Sequence, residues 1–76
     1  SREKNEARVG RIEPILVEGA DKGKPDVVYG RTRGNILVSF PGDPSSLTGQ
    51  IVPVRITKAG TWTLEGEPVA VPAMGM

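Results

Sequence analysis

Arg31 and Arg33, separated by one threonine in the run VYGRTRGNILVSF (Val28–Phe40), are the residues of this chain whose types and spacing point most directly to chemistry. On one extended strand, residues two apart share a face. Two guanidiniums on one face suit phosphates, because each can hold two oxygens at once. The competing reading is a solvated pair answering nearby acids, with Arg31 bracing the fold. Either way the chemistry is recognition and not bond-making. The sequence has no cysteine and no histidine. That excludes disulfides, thiolate metal sites, zinc chemistry and imidazole acid–base catalysis. Asp21, Asp26 and Asp43 are too scattered for a calcium loop, and no paired carboxylates on one element suggest hydrolysis. None of the glycines forms a phosphate-cradling motif.

Other residues join this candidate surface. Arg55 and Lys58 could extend it along a backbone-tracking groove, with ordinary surface charge as the alternative. Trp62, the single tryptophan, could stack on a base. Its shared phase with Leu64 argues instead for a core or half-buried position, since small barrels need large apolar side chains. Tyr29 fits either role. Asn35 has a turn explanation that needs no ligand. The net charge is only +1 over 76 residues, but its distribution is uneven. Between Val27 and Leu64 stand Arg31, Arg33, Arg55 and Lys58 against the single acid Asp43. A local cationic face on a nearly neutral chain follows.

The elements that must position these residues are short and extended. Four Leu, five Ile, nine Val and one Phe make a quarter of the chain, above the roughly 20% below which disorder is expected. Ten glycines and seven prolines mark a turn-rich domain. Strand one is expected over Val9–Glu18, with a bulge or bend at Glu13-Pro14 to bring Ile12 onto the same inward face as Ile15 and Val17. Strand two covers Val27–Thr32 and strand three Ile36–Phe40, with Ile36, Val38 and Phe40 inward. Between them Gly34-Asn35 reverses the chain, both residues tolerating positive φ. Asp43 before Pro44 reads as an N-cap with a first-turn proline, so a short helical turn is expected in PGDPSSLT, with Leu47 plugging the core. Strand four runs from Gln50 to Lys58, with Val52, Val54 and Ile56 inward. After an Ala59-Gly60 turn, strand five runs from Thr61 to Val71, and pairing fades at Pro68 and Pro72. Residues 1–8 read as a linker or the end of a helix from elsewhere, 9–71 as the barrel and 72–76 as a frayed end.

The expected fold is therefore all-β, a small five-stranded antiparallel β-barrel of OB-like order, with a short helical turn or loop between strands three and four. Closure removes the wet apolar face and the edges that a flat sheet of this size would expose. No apolar run reaches the roughly 18–20 residues of a membrane span, and a monomer in the cytoplasm is expected.

At this point the residues resemble a known family. LVEG at Leu16–Gly19, GRTRGN at Gly30–Asn35, FPG at Phe40–Gly42, LTGQIVPVRIT at Leu47–Thr57 and LEGE at Leu64–Glu67 look like a TRAM domain, the small β-barrel of several RNA-modifying enzymes. Their order and spacing cover about Val9 to Glu67. The pattern is most similar to the C-terminal TRAM domain of tRNA methylthiotransferases, a radical-SAM family, where KNEA-like residues such as Lys4–Ala7 lead out of the catalytic domain. Pro14, Pro53 and Ser39 depart from the pattern. The resemblance implies an RNA-binding module with tRNA as partner, and the residues above supply its expected contacts: Arg31, Arg33, Asn35, Arg55, Lys58 and Trp62. It further implies no cofactor in this chain, and iron–sulfur clusters and S-adenosylmethionine in the parent protein. Two rivals belong to other classes. One is a protein-binding module of a ribosomal-protein methylthiotransferase, and the other is a barrel that only packs on its parent domain.

Overall fold

The computed structural model describes residues 2–70. Its elements are α1 (Arg2–Glu6), β1 (Ile12–Ala20), β2 (Val27–Arg31), β3 (Leu37–Pro41), α2 (Pro44–Leu47), β4 (Ile51–Ala59) and β5 (Thr63–Pro68). The strands close into a barrel in the order β1-β2-β3-β5-β4. Four of the neighbouring pairs are antiparallel, and β3 with β5 is parallel. The expected small five-stranded all-β barrel with a short helix between strands three and four is borne out, with one parallel joint in it. An odd ring cannot alternate direction all the way round, so a five-stranded closed barrel must contain a parallel joint. The end of strand five at Val71 and the frayed end at 72–76 lie outside the described residues.

Period-two alternation builds the core. Ile15 and Val17 of β1, Val28 of β2, Val38 and Phe40 of β3, Val54 and Ile56 of β4 and Leu64 of β5 are buried. Ile36, Leu47, Val52 and Ala59 pack against them. Leu47 arrives on α2, whose start is fixed as expected: the Asp43 side chain accepts from the Ser45 backbone N–H at 3.0 Å, and Pro44 opens the turn. Hydrogen bonds from the Ser45 hydroxyl and the Ser45 backbone hold the Asp43 carboxyl below its ordinary pKa.

Two irregularities differ from the expected pattern. No bulge forms at Glu13-Pro14. Pro14 pairs directly with Pro53, and Ile12 faces outward. The Pro53 carbonyl accepts from the Val69 N–H at 2.9 Å, so the Pro53 backbone is turned toward β5. Neither proline is asked to donate across the β1–β4 joint. The bulge of β1 comes later, at Glu18: Val17 pairs with Gly30, and Gly19 with Tyr29. A second bulge at Thr57 follows the same logic, with Ile56 opposite Gly66 and Lys58 opposite Glu65. It keeps Lys58 exposed, although strict alternation would turn it inward.

Close backbone approach fixes two glycines. A Cβ on Gly30 would run into the Leu16 carbonyl oxygen and sit 2.7 Å from Ile15 Cγ2. A Cβ on Gly66 would lie 2.5 Å from both the Arg55 oxygen and Val54 Cγ1. Gly34 is different, since its Cβ would meet nothing nearer than Thr32 Oγ1 at 3.8 Å. Gly30→Ala should therefore destabilise by about 1–3 kcal/mol or more, lowering Tm by at least roughly 4–8 °C. Gly34→Ala should stay within about 0.5 kcal/mol. Thermal melts of the two variants check this, and an unshifted Gly30→Ala melt would disprove the close β1–β2 crossing.

Candidate nucleic-acid interface

The β2–β3 connection is a three-residue hairpin loop. The Thr32 N–H donates to the Ile36 carbonyl at 3.0 Å, the Asn35 N–H donates to the Thr32 carbonyl at 2.9 Å, and Asn35 takes φ 66°. A turn followed by a left-handed residue is a favoured way to join two twisted strands. Asn35 alone supplies the positive φ; Gly34 does not. Arg33 sits in this turn, exposed, and not on the strand with Arg31. The expected shared strand face of the two arginines is therefore not formed. β2 ends at Arg31 because the reversal already begins at Thr32.

Arg31 is held from two sides. Its Nε lies 3.1 Å from Glu18 Oε2, and its Nη1 donates to the Asn35 carbonyl and Oδ1, each at 3.4 Å. The β1 bulge is what presents Glu18 at this point, a common use of bulges beside binding surfaces. Arg31 thus braces β1 against the hairpin turn, while its five N–H donors leave part of the fork uncommitted. No hydrogen bond or ion pair engages the Arg33 side chain among the described residues.

Arg31 also lines a surface groove of about 500 Å³, together with Ala20, Asp21, Lys22, Tyr29, Leu37, Ser39 and Thr63. Outward side chains of β2 and β3 form its floor, and the β1–β2 loop forms its rim. Tyr29 lies opposite Gly19, where a Cβ would make an ordinary contact with the ring at 3.8 Å. The strand 2–3 face with the first interstrand loop is where OB-type barrels take oligonucleotides. An aromatic ring and two cations in one open groove can stack a base and hold its phosphate.

The remaining sequence-derived residues divide. Asn35 and Trp62 line a second groove on the other side of the hairpin turn. Trp62 is 81% exposed, which corrects the core reading. β5 begins only at Thr63, so Trp62 belongs to the preceding bend and strand alternation never applies to it. Arg55 and Lys58 are not brought to the Arg31 groove. They stand on β4, which neighbours β1 and β5, and each faces an acid: Arg55 opposite Glu67, Lys58 opposite Glu65. Among the described residues, no group of His, Cys, Asp and Glu could hold a metal ion. Sequence reading left Tyr29 undecided, although its outward phase between Val28 and Gly30 carried the signal. It missed Lys22 and Arg8, which loop placement alone brings to the grooves.

A different surface covers β1 and β4. Ile12, Pro14 and Leu16 point outward opposite Arg55, Pro53 and Ile51. Ile12, Leu16 and Ile51 are all at least half exposed.

The chain is similar to curated proteins named tRNA-2-methylthio-N(6)-dimethylallyladenosine synthase. The one from Symbiobacterium thermophilum is 75% identical over 72 residues, which cover 95% of this chain and 15% of the relative. The Moorella thermoacetica protein is 58% identical over 66 residues, 87% of this chain and 15% of the relative. The Anoxybacillus flavithermus protein is 57% identical over 60 residues, 79% of this chain and 11% of the relative. This chain spans about a seventh or less of the length of these proteins and matches their C-terminal portion. The pattern of the TRAM domain matches residues 6–69, nearly the whole barrel with its short helix, and the chain belongs to the TRAM domain family.

Proposed function

We propose that this domain binds tRNA and positions it for a methylthiotransferase of which it forms a part, in the cytoplasm and as a monomer. The carrying observation is the groove over β2 and β3, where Tyr29, Arg31 and Lys22 line one open surface. The names of the relatives, tRNA-2-methylthio-N(6)-dimethylallyladenosine synthases, support the choice of RNA. The groove's cations suit a polyanion better than a basic ribosomal protein. The domain's own contribution is affinity and orientation, with Arg31 and Arg33 on phosphates and Tyr29 against a base. Iron–sulfur clusters and S-adenosylmethionine would belong to the rest of the longer protein. Cluster irons take cysteine thiolates, and this sequence has no cysteine, so its residues do not fit that group.

The apolar face of β1 and β4 supports a second, compatible role. We infer that Ile12, Leu16 and Ile51 dock the barrel against the larger remainder of the full-length protein, since exposed apolar patches mark interaction surfaces. Leu16→Glu with Ile51→Glu in the full-length protein should leave the barrel's own melting unchanged but enlarge the radius of gyration in X-ray scattering. An unchanged scattering profile would remove this face from consideration.

For the RNA surface, Arg31→Ala with Arg33→Ala should weaken tRNA binding and reduce the salt slope by about one unit per lost phosphate contact. The barrel should stay folded, because an exposed ion pair such as Arg31–Glu18 contributes only about 0.2–1 kcal/mol. Undiminished affinity at low salt would sink the assignment. Glu18→Gln should act in the opposite direction. With the competing carboxylate gone, tRNA should bind more tightly at low salt, and filter-binding isotherms would show it.

A further inference from the structure

The second groove, about 290 Å³ in volume, lies between α1, the β2–β3 turn and the β4–β5 turn. Its size is near the lower end of small-ligand sites. Three observations give it a purpose.

The first is Trp62. A large ring 81% exposed contributes little to the barrel, yet it stands on a loop that is tied down. The Gly60 N–H donates to the Thr63 carbonyl at 2.8 Å. The buried Asn5 amide donates to the Gly60 and Thr61 carbonyls at 2.9 and 3.1 Å. The backbone that carries the ring is tied down, and an exposed aromatic face on such a loop is a stacking platform. The second is Arg8, which lines the same groove. Its Nε is shut away from solvent without an acceptor, a costly state for a charged donor. The Arg8 side chain makes no hydrogen bond or ion pair among the described residues, so it gives up no partner in turning to an anion. The third is Asn35, which lines this groove while its Oδ1 accepts from Arg31 of the other one. The hairpin thus contributes to both grooves, Arg31 and Leu37 to the first and Asn35 and Ile36 to the second.

We propose that the second groove holds one unpaired nucleotide of the bound RNA, its base stacked on Trp62 and its phosphate on the Arg8 guanidinium. The proposal rests on the RNA-binding reading and adds a single-stranded subsite to the Tyr29–Arg31 groove. A duplex keeps its bases stacked on one another and has no free face to offer Trp62.

Because Trp62 is the single tryptophan, its fluorescence reports this groove alone. The chain is titrated with a fluorescein-labelled single-stranded hexa-adenylate at low salt, and RNA anisotropy is read beside tryptophan emission. Quenching should saturate together with the anisotropy, and a blunt duplex of the same length should not quench. Trp62→Ala should weaken single-strand binding about tenfold or more. Arg8→Met should lower the salt slope by about 0.7. Should Arg8→Met fail to fold by its amide spectrum, Trp62→Ala still decides, because that ring is exposed. Binding by anisotropy without quenching, and with Trp62→Ala at wild-type affinity, overturns the subsite and leaves the first groove standing. Neither signal at low salt overturns both.

Discussion

Where β1 crosses β2, the Leu16 carbonyl lies so close over Gly30 that no side chain fits between the two strands. This crossing fixes the register on which the outer surface depends. Side chains alternate along β2, so a slip of one residue would turn Tyr29 and Arg31 into the core and expose Val28. With Gly30 seated under β1, Val28 and Gly30 point inward and their neighbours outward. The same crossing comes just before the bulge that presents Glu18 to Arg31. One steric requirement on a residue without a side chain thus orients the aromatic ring, the guanidinium and its counter-ion.

The barrel's surfaces are sorted by chemistry. The β2–β3 side carries the ring and cations in an open groove. The β1–β4 side carries Ile12, Leu16 and Ile51, with two prolines between them. The cations of β4 stand opposite acids on β5. The groove itself is mixed, with Lys22 and Arg31 beside Asp21 in its lining and Glu18 on the Arg31 Nε, on a chain with a net charge of +1. Such a distribution favours directed recognition over indiscriminate binding to polyanions.

Where local physics decides, the sequence was readable. Val38 with Phe40, and Val52 with Val54 and Ile56, follow strict alternation, and the core uses them so. Asp43 before Pro44 states its own cap. Reading failed where a non-local event intervenes. The parallel β3–β5 joint follows from ring closure, which no segment encodes. Pro14 drew the expected bulge, yet two prolines facing each other cost no ladder bond, and the bulge moved to Glu18. Trp62 stands one residue before its strand begins, so a strand phase does not apply to it. Arg33 lies past the end of β2, where the chain has already turned. Of the site, Arg31 and the hairpin were visible locally, whereas Lys22 and Arg8 reach the grooves only through loops that the closed barrel gathers.

Helix α1 has one buried residue, and it is polar: Asn5 reaches two carbonyls of the loop that carries Trp62. An apolar contact slides, but an amide bound to two carbonyls holds one direction and one distance. The amino-terminal end and the Trp62 loop are therefore mechanically linked, as a handle is to a latch. Tension on α1 that breaks these two bonds leaves the loop only its own Gly60–Thr63 hydrogen bond. The same small helix that begins the described fold thus acts as a tether through which strain on α1 reaches the Trp62 loop at Gly60, 55 residues from Asn5 in sequence.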